Sequence, residues 1–292
     1  MDIQFKALEI AAISKEMGGN VEETELLVYD SKANPSGFLK GRPFRSGHFS
    51  VLLLIEGTVE AKVNLIDHKL HAGDIFFIPP SAIRQLDWDE QTSHFRSMLF
   101  TPAFLQDSGI IGKYYNLSEF LKFGMKSDVI PENSLKIVYE LTYIIENSIS
   151  NEKNNDGNIE VLKNLFRAVL IKLKPYFQES HFEGKTFSNL IYKFIELLNI
   201  NYKSKRELSF YAERLFVNEK YLSQLLKKKL GKTARQLVTD MVIMEAKILL
   251  DEQVLSVKQI ACQLNFENPF HFSSFFKKYC GLAPNSYRNK IY

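Results

Sequence analysis

The chain has 292 residues, enough for two domains that each bury a core, with 45% hydrophobic and 24% charged residues and a net charge of +3. Its two cysteines exclude a disulfide scaffold, and no apolar run approaches the ~20 residues needed to span a bilayer. The small net charge hides an asymmetry: residues 1–202 hold 21 Lys+Arg against 26 Asp+Glu, whereas residues 203–292 hold 16 against 8. An acidic first part at −5 and a basic second part at +8 point to a polyanionic partner for the second.

The start, MDIQFKALEIAAISKEMGG, lacks a basic n-region and a long apolar core, so no secretory leader is expected and the setting is read as cytoplasmic. Up to about residue 45 the pattern is weak and broken at Gly18-Gly19 and Asn34-Pro35. From His48 the text turns to strands. An apolar run reaches Ile55, a turn sits at Glu56-Gly57, and Val59, Ala61 and Val63 then alternate with Glu60 and Lys62. A second turn at Ala72-Gly73-Asp74 precedes an apolar strand from Ile75 to Ile78, which ends at Pro79-Pro80. Short strands with Gly and Pro punctuation predict an antiparallel sandwich or barrel.

With Gly57, Gly73-Asp74 and Pro79 in the places of two short motifs, this stretch resembles a cupin β-barrel. Metal-holding cupins carry two His and a Glu in the first motif and a His in the second. Here those positions fall on Pro43, Arg45, Ser50 and Arg84, while His48, His68 and His71 are out of register, so no metal and no cofactor is expected. Lacking metal-activated chemistry, the barrel is expected to bind or to scaffold, and the chain is not expected to be an enzyme. A cupin enzyme with an accessory helical domain is the weaker alternative. Arg84 has two readings: a bidentate clamp for a carboxylate or phosphate, or a surface ion pair with Asp87, Asp89 or Glu90. Trp88, Phe76 and Phe77 either line an apolar pocket or fill the core.

From about Pro131 the period becomes helical. Leu135, Val138, Thr142, Ile145 and Ile149 form one stripe, widened by Ile137, Leu141 and Ile144. After the polar stretch Ser150 to Asn158, a second helix is predicted from Ile159 to about Lys174, with Ile159, Leu162, Phe166, Val169 and Leu173 on its stripe and Pro175 as its stop. Such a hairpin packs either on the barrel or on the same hairpin of a second subunit. Gln178 to Lys185 reads as a polar linker, and a helix from Ser188 to Ile200 opens the last domain, followed by Lys203, Lys205 and Arg206 as phosphate-contact candidates.

The last quarter carries the strongest pattern. ELSFYAERLFVNEKYLSQLLKKKLGKT (Glu207 to Thr233) and LSVKQIACQLNFENPFHFSSFFKKYCGLAPNSYR (Leu255 to Arg288) are two versions of one device. In each, a short amphipathic helix and a tight turn lead to a second helix that starts at Asn218 or Asn268 and stops before Gly231 or Gly281. Short helix, turn and second helix predict a helix-turn-helix, whose second helix can lie in the major groove of DNA. In the first copy Leu222, Leu225 and Leu226 face inward, leaving Lys220, Ser223, Gln224 and Lys227 on the outer stripe, with Lys228 beside them. In the second, Phe272, Phe275 and Phe276 face inward, leaving Phe270, His271 and Ser274 outward, with Lys277 and Lys278 for phosphates. Asn268 joins this outer set. Cys262 and Cys280 lie in the second copy without metal-ligand spacing and read as reduced structural thiols.

At these residues the chain resembles the DNA-binding domain of the AraC/XylS family of bacterial transcription regulators. The matches include Ala212, Leu215, Asn218, Tyr221-Leu222-Ser223 and Gly231-Lys232-Thr233. In the second copy they include Ile260-Ala261, Leu264, Phe266, Asn268-Pro269, Phe272-Ser273, Phe276-Lys277-Lys278, Gly281, Pro284 and Tyr287-Arg288. The chain departs from the family at Val242, where an Arg is usual; at His271 and Ser274, usually Tyr and Arg; and at Ala283, usually Ser or Thr. The resemblance implies an α+β architecture: a cupin-like sensor barrel over residues 1–128 and a dimerising helical hairpin over 129–177. A linker over 178–187 and an all-α DNA-binding domain over 188–292, two helix-turn-helix motifs on one linking helix, would follow. It also implies double-stranded DNA as partner, a homodimer, a small-molecule effector and RNA polymerase as a candidate contact. One alternative keeps DNA binding but leaves the barrel only dimerisation or a protein partner.

Overall fold

The computed structural model describes residues 9–16, 25–33, 40–80, 82–109, 125–126, 130–151, 156–177 and 185–289. The Gly18-Gly19 and Asn34-Pro35 breaks, and most of the expected linker, lie outside them. The chain forms two compact units, with the boundary between His181 and Phe182.

In the first unit, helix α1 (Ile10–Glu16) and strand β1 (Leu26–Asp30) precede β2 (Phe44–Arg45), β3 (Phe49–Glu56), β4 (Thr58–Val63) and β5 (Ile66–His71). Then come β6 (Ile75–Ile78), β7 (Ile83–Trp88), β8 (His94–Phe100), the short helix α2 (Pro102–Asp107) and β9 (Met125–Lys126). The strands make two sheets, ordered β1-β8-β3-β6-β9 and β2-β7-β4-β5. Helices α3 (Glu132–Asn151) and α4 (Asp156–Leu173) close the unit.

The unbroken apolar run of β3 has a physical cause: both of its faces are covered. Phe49, Val51 and Leu53 pack with Phe77, Phe100, Val138, Ile145, Phe166 and Val169, which joins the five-stranded sheet to the hairpin. Leu52 and Leu54 point the other way, toward Val59, Ala61, Val63, Phe76, Trp88 and Phe95 in the space between the sheets. The sharp turn after β3 requires Gly57, whose φ is +73° and where a Cβ would lie 2.4 Å from the Thr92 carbonyl oxygen.

The hairpin therefore packs on the sheet. Its second helix begins at Asp156, three residues before the expected Ile159, and Ile159 is exposed. Ile137 and Ile144, expected to widen the buried stripe, stand 45% exposed beside Tyr143 at 48%. The sheet and α4 cover the stripe of Val138, Thr142 and Ile145 on α3, and Ile137, Tyr143 and Ile144 lie outside that cover.

The second unit is helical: α5 (Lys185–Asn201), α6 (Leu208–Arg214), α7 (Glu219–Leu230), α8 (Ala234–Asp251), α9 (Val257–Gln263), α10 (Pro269–Cys280) and α11 (Pro284–Arg288). Helix α8 is its spine. Leu237, Met241, Val242, Ala246, Leu249 and Leu250 are all buried, and α7, α9, α10 and α11 pack against it.

Candidate nucleic-acid interface

Two copies of one local geometry build the candidate interface. After α6 and after α9 the chain makes the same turn. Leu215 N–H donates to the Tyr211 carbonyl, Phe216 to Glu213 and Val217 to Ala212; in the second copy Leu264 donates to Ile260, Asn265 to Cys262 and Phe266 to Ala261. The pivot is left-handed in both, with φ +55° at Phe216 and +56° at Asn265. Asn tolerates that region, whereas Phe does so at a cost, and Phe216 is 95% exposed.

The second helix of each copy then starts on an Asn cap. Asn218 Oδ1 accepts from Lys220 N–H at 2.8 Å, and Asn268 Oδ1 accepts from His271 N–H at 2.9 Å. Both stop at a left-handed glycine, Gly231 at φ +69° and Gly281 at φ +76°. Inward, Leu222, Leu225 and Leu226 hold α7, while Phe272 and Phe276 hold α10. Phe275, expected to be buried, is only half-buried, because it lies at the edge of the stripe between the rings of Phe266 and Tyr279.

Outward, Lys220, Gln224, Lys227 and Lys228 are exposed on α7, with Ser223 half-buried between them. On α10, Phe270, His271, Ser274, Lys277 and Lys278 are exposed, and Asn268 is half-buried and occupied as a cap. Among the described residues the five lysines have no carboxylate partner, whereas His271 Nδ1 lies 3.2 Å from Glu267 Oε2. Between the copies stands α8, capped by the reciprocal Thr233–Gln236 box; its 18 residues span about 27 Å at ~1.5 Å per residue. That length is of the order of the ~34 Å separating successive major grooves on one face of B-DNA.

The other three basic candidates divide. Lys205 is exposed, but Lys203 and Arg206 are drawn inward. Glu245 is fully buried in α8, and a buried carboxylate demands a counter-charge; Lys203 Nζ supplies it at 3.5 Å. Arg206 donates to the Leu264 carbonyl, stacks 4.2 Å from the Phe266 ring centroid, and burial lowers its pKa. Val242, at the position of the usual Arg, is core and offers DNA nothing. Ala283 begins α11 without a side-chain cap.

A second polar site lies in the first unit. Arg84 is 1% exposed, so the surface ion pair with Asp87, Asp89 or Glu90 is not formed; Glu90 pairs with Lys40 instead. The guanidinium donates to Ser50 Oγ at 2.7 Å, the Pro79 carbonyl at 2.7 Å and the His48 carbonyl at 3.2 Å, and its Nε has no partner. Burial pulls its pKa down to about 9. Tyr29, Ser50, Arg84, Trp88, Phe95 and Ser97 all line one cavity of about 50 Å³. Phe76 and Phe77 are buried on opposite faces of the five-stranded sheet, as core.

The paired turn, cap and basic face define a two-unit protein whose second unit is built to bind DNA. Residues 211–290 match the family model described as a helix-turn-helix domain. The Msm operon regulatory protein of Streptococcus mutans is 23% identical over 90% of this chain and 91% of its own length. The uncharacterized transcriptional regulatory protein YesN of Bacillus subtilis is 39% identical over 80 residues, 27% of this chain and 22% of its own. Among solved structures, unsaturated fatty acid bound ToxT from Vibrio cholerae is 16% identical with a TM-score of 0.41, covering 92% of this chain and 96% of that one. The C-terminal unit carries an AraC-type helix-turn-helix domain, and the chain as a whole is similar to transcriptional regulators that carry one.

Proposed function

We propose that α7 and α10 read two successive major-groove segments on one side of the duplex, and that α8 sets the distance between them. The observation that carries this is the duplicated turn and cap, which present two unpaired cationic faces from one spine. Gln224 is the base reader on α7, since an exposed amide pairs in bidentate fashion with adenine, while Lys227 neutralises a phosphate. Selection of sites from random duplexes tests the division. Gln224→Ala flattens the selected preference at one position, whereas Lys227→Ala weakens selected and scrambled duplexes alike. Equal losses on both duplexes for both variants would contradict it.

The exposed apolar face of α3, with Ile137, Tyr143 and Ile144, supports a homodimer formed through the hairpin. The same selection addresses it: a dimer recovers a repeated site, a monomer a single one. RNA polymerase is the further partner that a promoter-bound regulator would meet.

The first unit is the sensor, and its effector is a small organic acid held at Arg84. A guanidinium buried against neutral acceptors, with no carboxylate beside it among the described residues, supports an anionic ligand. Trp88 supplies the apolar wall. The cavity is far below the ~300 Å³ of typical ligand pockets, so it takes a short carboxylate or must open for a longer one. In thermal melts of the whole chain, short carboxylates such as acetate or benzoate raise the midpoint in a saturating way and neutral sugars do not. Arg84→Gln abolishes the rise. A panel without effect would leave the unit to dimerisation or a protein partner.

A further inference from the structure

Both helix-turn-helix copies rest on α8. A single shared helix fixes their separation but leaves each copy able to pivot about it. A second tie runs directly from the first copy to the second. Tyr211 is fully buried in α6, and its hydroxyl donates to the Lys205 carbonyl at 2.6 Å, so the backbone ahead of α6 is tied to that helix. The next residue is Arg206. Its Nη2 donates to the carbonyl of Leu264, the C-cap of α9, and its guanidinium stacks on Phe266 in the following turn, 4.2 Å from the centroid. Phe266 packs in turn on Phe272 and Phe275 of α10, at centroid distances of 5.3 and 5.2 Å.

The chemistry suits arginine. The last carbonyls of a helix lack intrahelical donors and carry the negative end of its dipole, so a cation there is favoured. The flat guanidinium donates in its plane while its face lies on the ring, which an ammonium cannot do. Half-buried, the contact is shielded from solvent. An unbroken run of contacts thus links α6, Arg206, the second turn and α10.

We infer that Arg206 is a positioning residue that fixes the pitch between α7 and α10, so that binding depends sharply on the base-pair spacing of the two half-sites. The inference rests on the proposal that both helices read DNA.

The test uses the whole chain and a set of duplexes in which one or two base pairs are inserted or removed between the selected half-sites. The wild type loses about tenfold or more in affinity at the first changed spacing, the scale of one misfitted base pair. Arg206→Met keeps the stem and removes the donors and the plane. It binds the original spacing within about threefold of wild type, and its spacing penalty falls below about threefold, about 0.7 kcal/mol at ~1.4 kcal/mol per decade. Arg206→Lys recovers only part of the penalty. Should Arg206→Met fail to fold, Phe266→Leu removes the stacking surface and carries the same expectation. A variant that keeps the wild-type penalty, or that weakens every spacing by one factor, overturns the inference. A wild type that binds but ignores spacing overturns it too, with the DNA reading intact; a wild type that binds no duplex removes both.

Discussion

Arg96→Met lowers the stability of the first unit by about 3 kcal/mol, the low end for breaking a buried ion pair, and lowers its melting midpoint by roughly 6–12 °C. Arg96 is 3% exposed on β8 and joins three elements. Its Nη1 donates to Asp30 Oδ2 of β1 at 3.0 Å, its Nη2 donates to Glu146 of α3, and its guanidinium lies 5.1 Å from the Tyr139 ring centroid. Asp30 is also met by His94 Nε2 at 3.1 Å and accepts from the Lys32 and Ala33 N–H groups, so it keeps these partners when Arg96 is lost, whereas Glu146 is 25% exposed and partly rehydrates. Those two compensations set the expectation at the low end. Met preserves the stem volume, so the loss isolates the charge. Replacing both carboxylates as well, as Asp30→Asn and Glu146→Gln, recovers part of the stability because no buried charge is left alone. Thermal melts of the single and triple variants decide it: a triple variant less stable than the single one would mean that packing, not charge, holds the hairpin to the sheet.

How far the sequence carried depended on whether a residue's role was local. Caps, glycine stops and helix stripes are set within four residues, and Asn218, Gly231, Asn268 and Gly281 were all legible for that reason. The β3–β4 turn was legible at Gly57, because only glycine fits there. Strand β1 was missed: Leu26–Asp30 is buried throughout, so it lacks the alternation that marks a half-exposed strand, and its pairing with β8 lies some 70 residues away in sequence. The fate of the arginines was least legible. Arg84 reads either as a ligand clamp or as a surface ion pair, Arg206 reads as a phosphate contact and Arg96 carries no signal, yet each lies at least half inside because a distant carbonyl, carboxylate or ring meets it. Long-range pairing decides such residues, and periodicity carries no record of it. The departure at Val242 was visible in the sequence, but only its burial shows that the position faces the core.

In the proposed mode of binding, the exposed lysines of α7 and α10 are held free to meet phosphates. Lys220, Lys227 and Lys228 on the first helix and Lys277 and Lys278 on the second are all exposed. Each phosphate neutralised releases condensed counterions, so five contacts give a slope of about −4.5 for log affinity against log salt, per subunit. Raising salt fourfold, from about 50 to about 200 mM, then weakens each subunit's binding about 500-fold. Exchanging all five for Gln removes most of that slope without exposing any core residue. The decisive measurement is therefore a salt titration of the purified chain on its selected duplex, wild type beside the five-Gln variant. A steep wild-type line that flattens in the variant is the predicted result; parallel lines, or a wild type without affinity even at low salt, would contradict it.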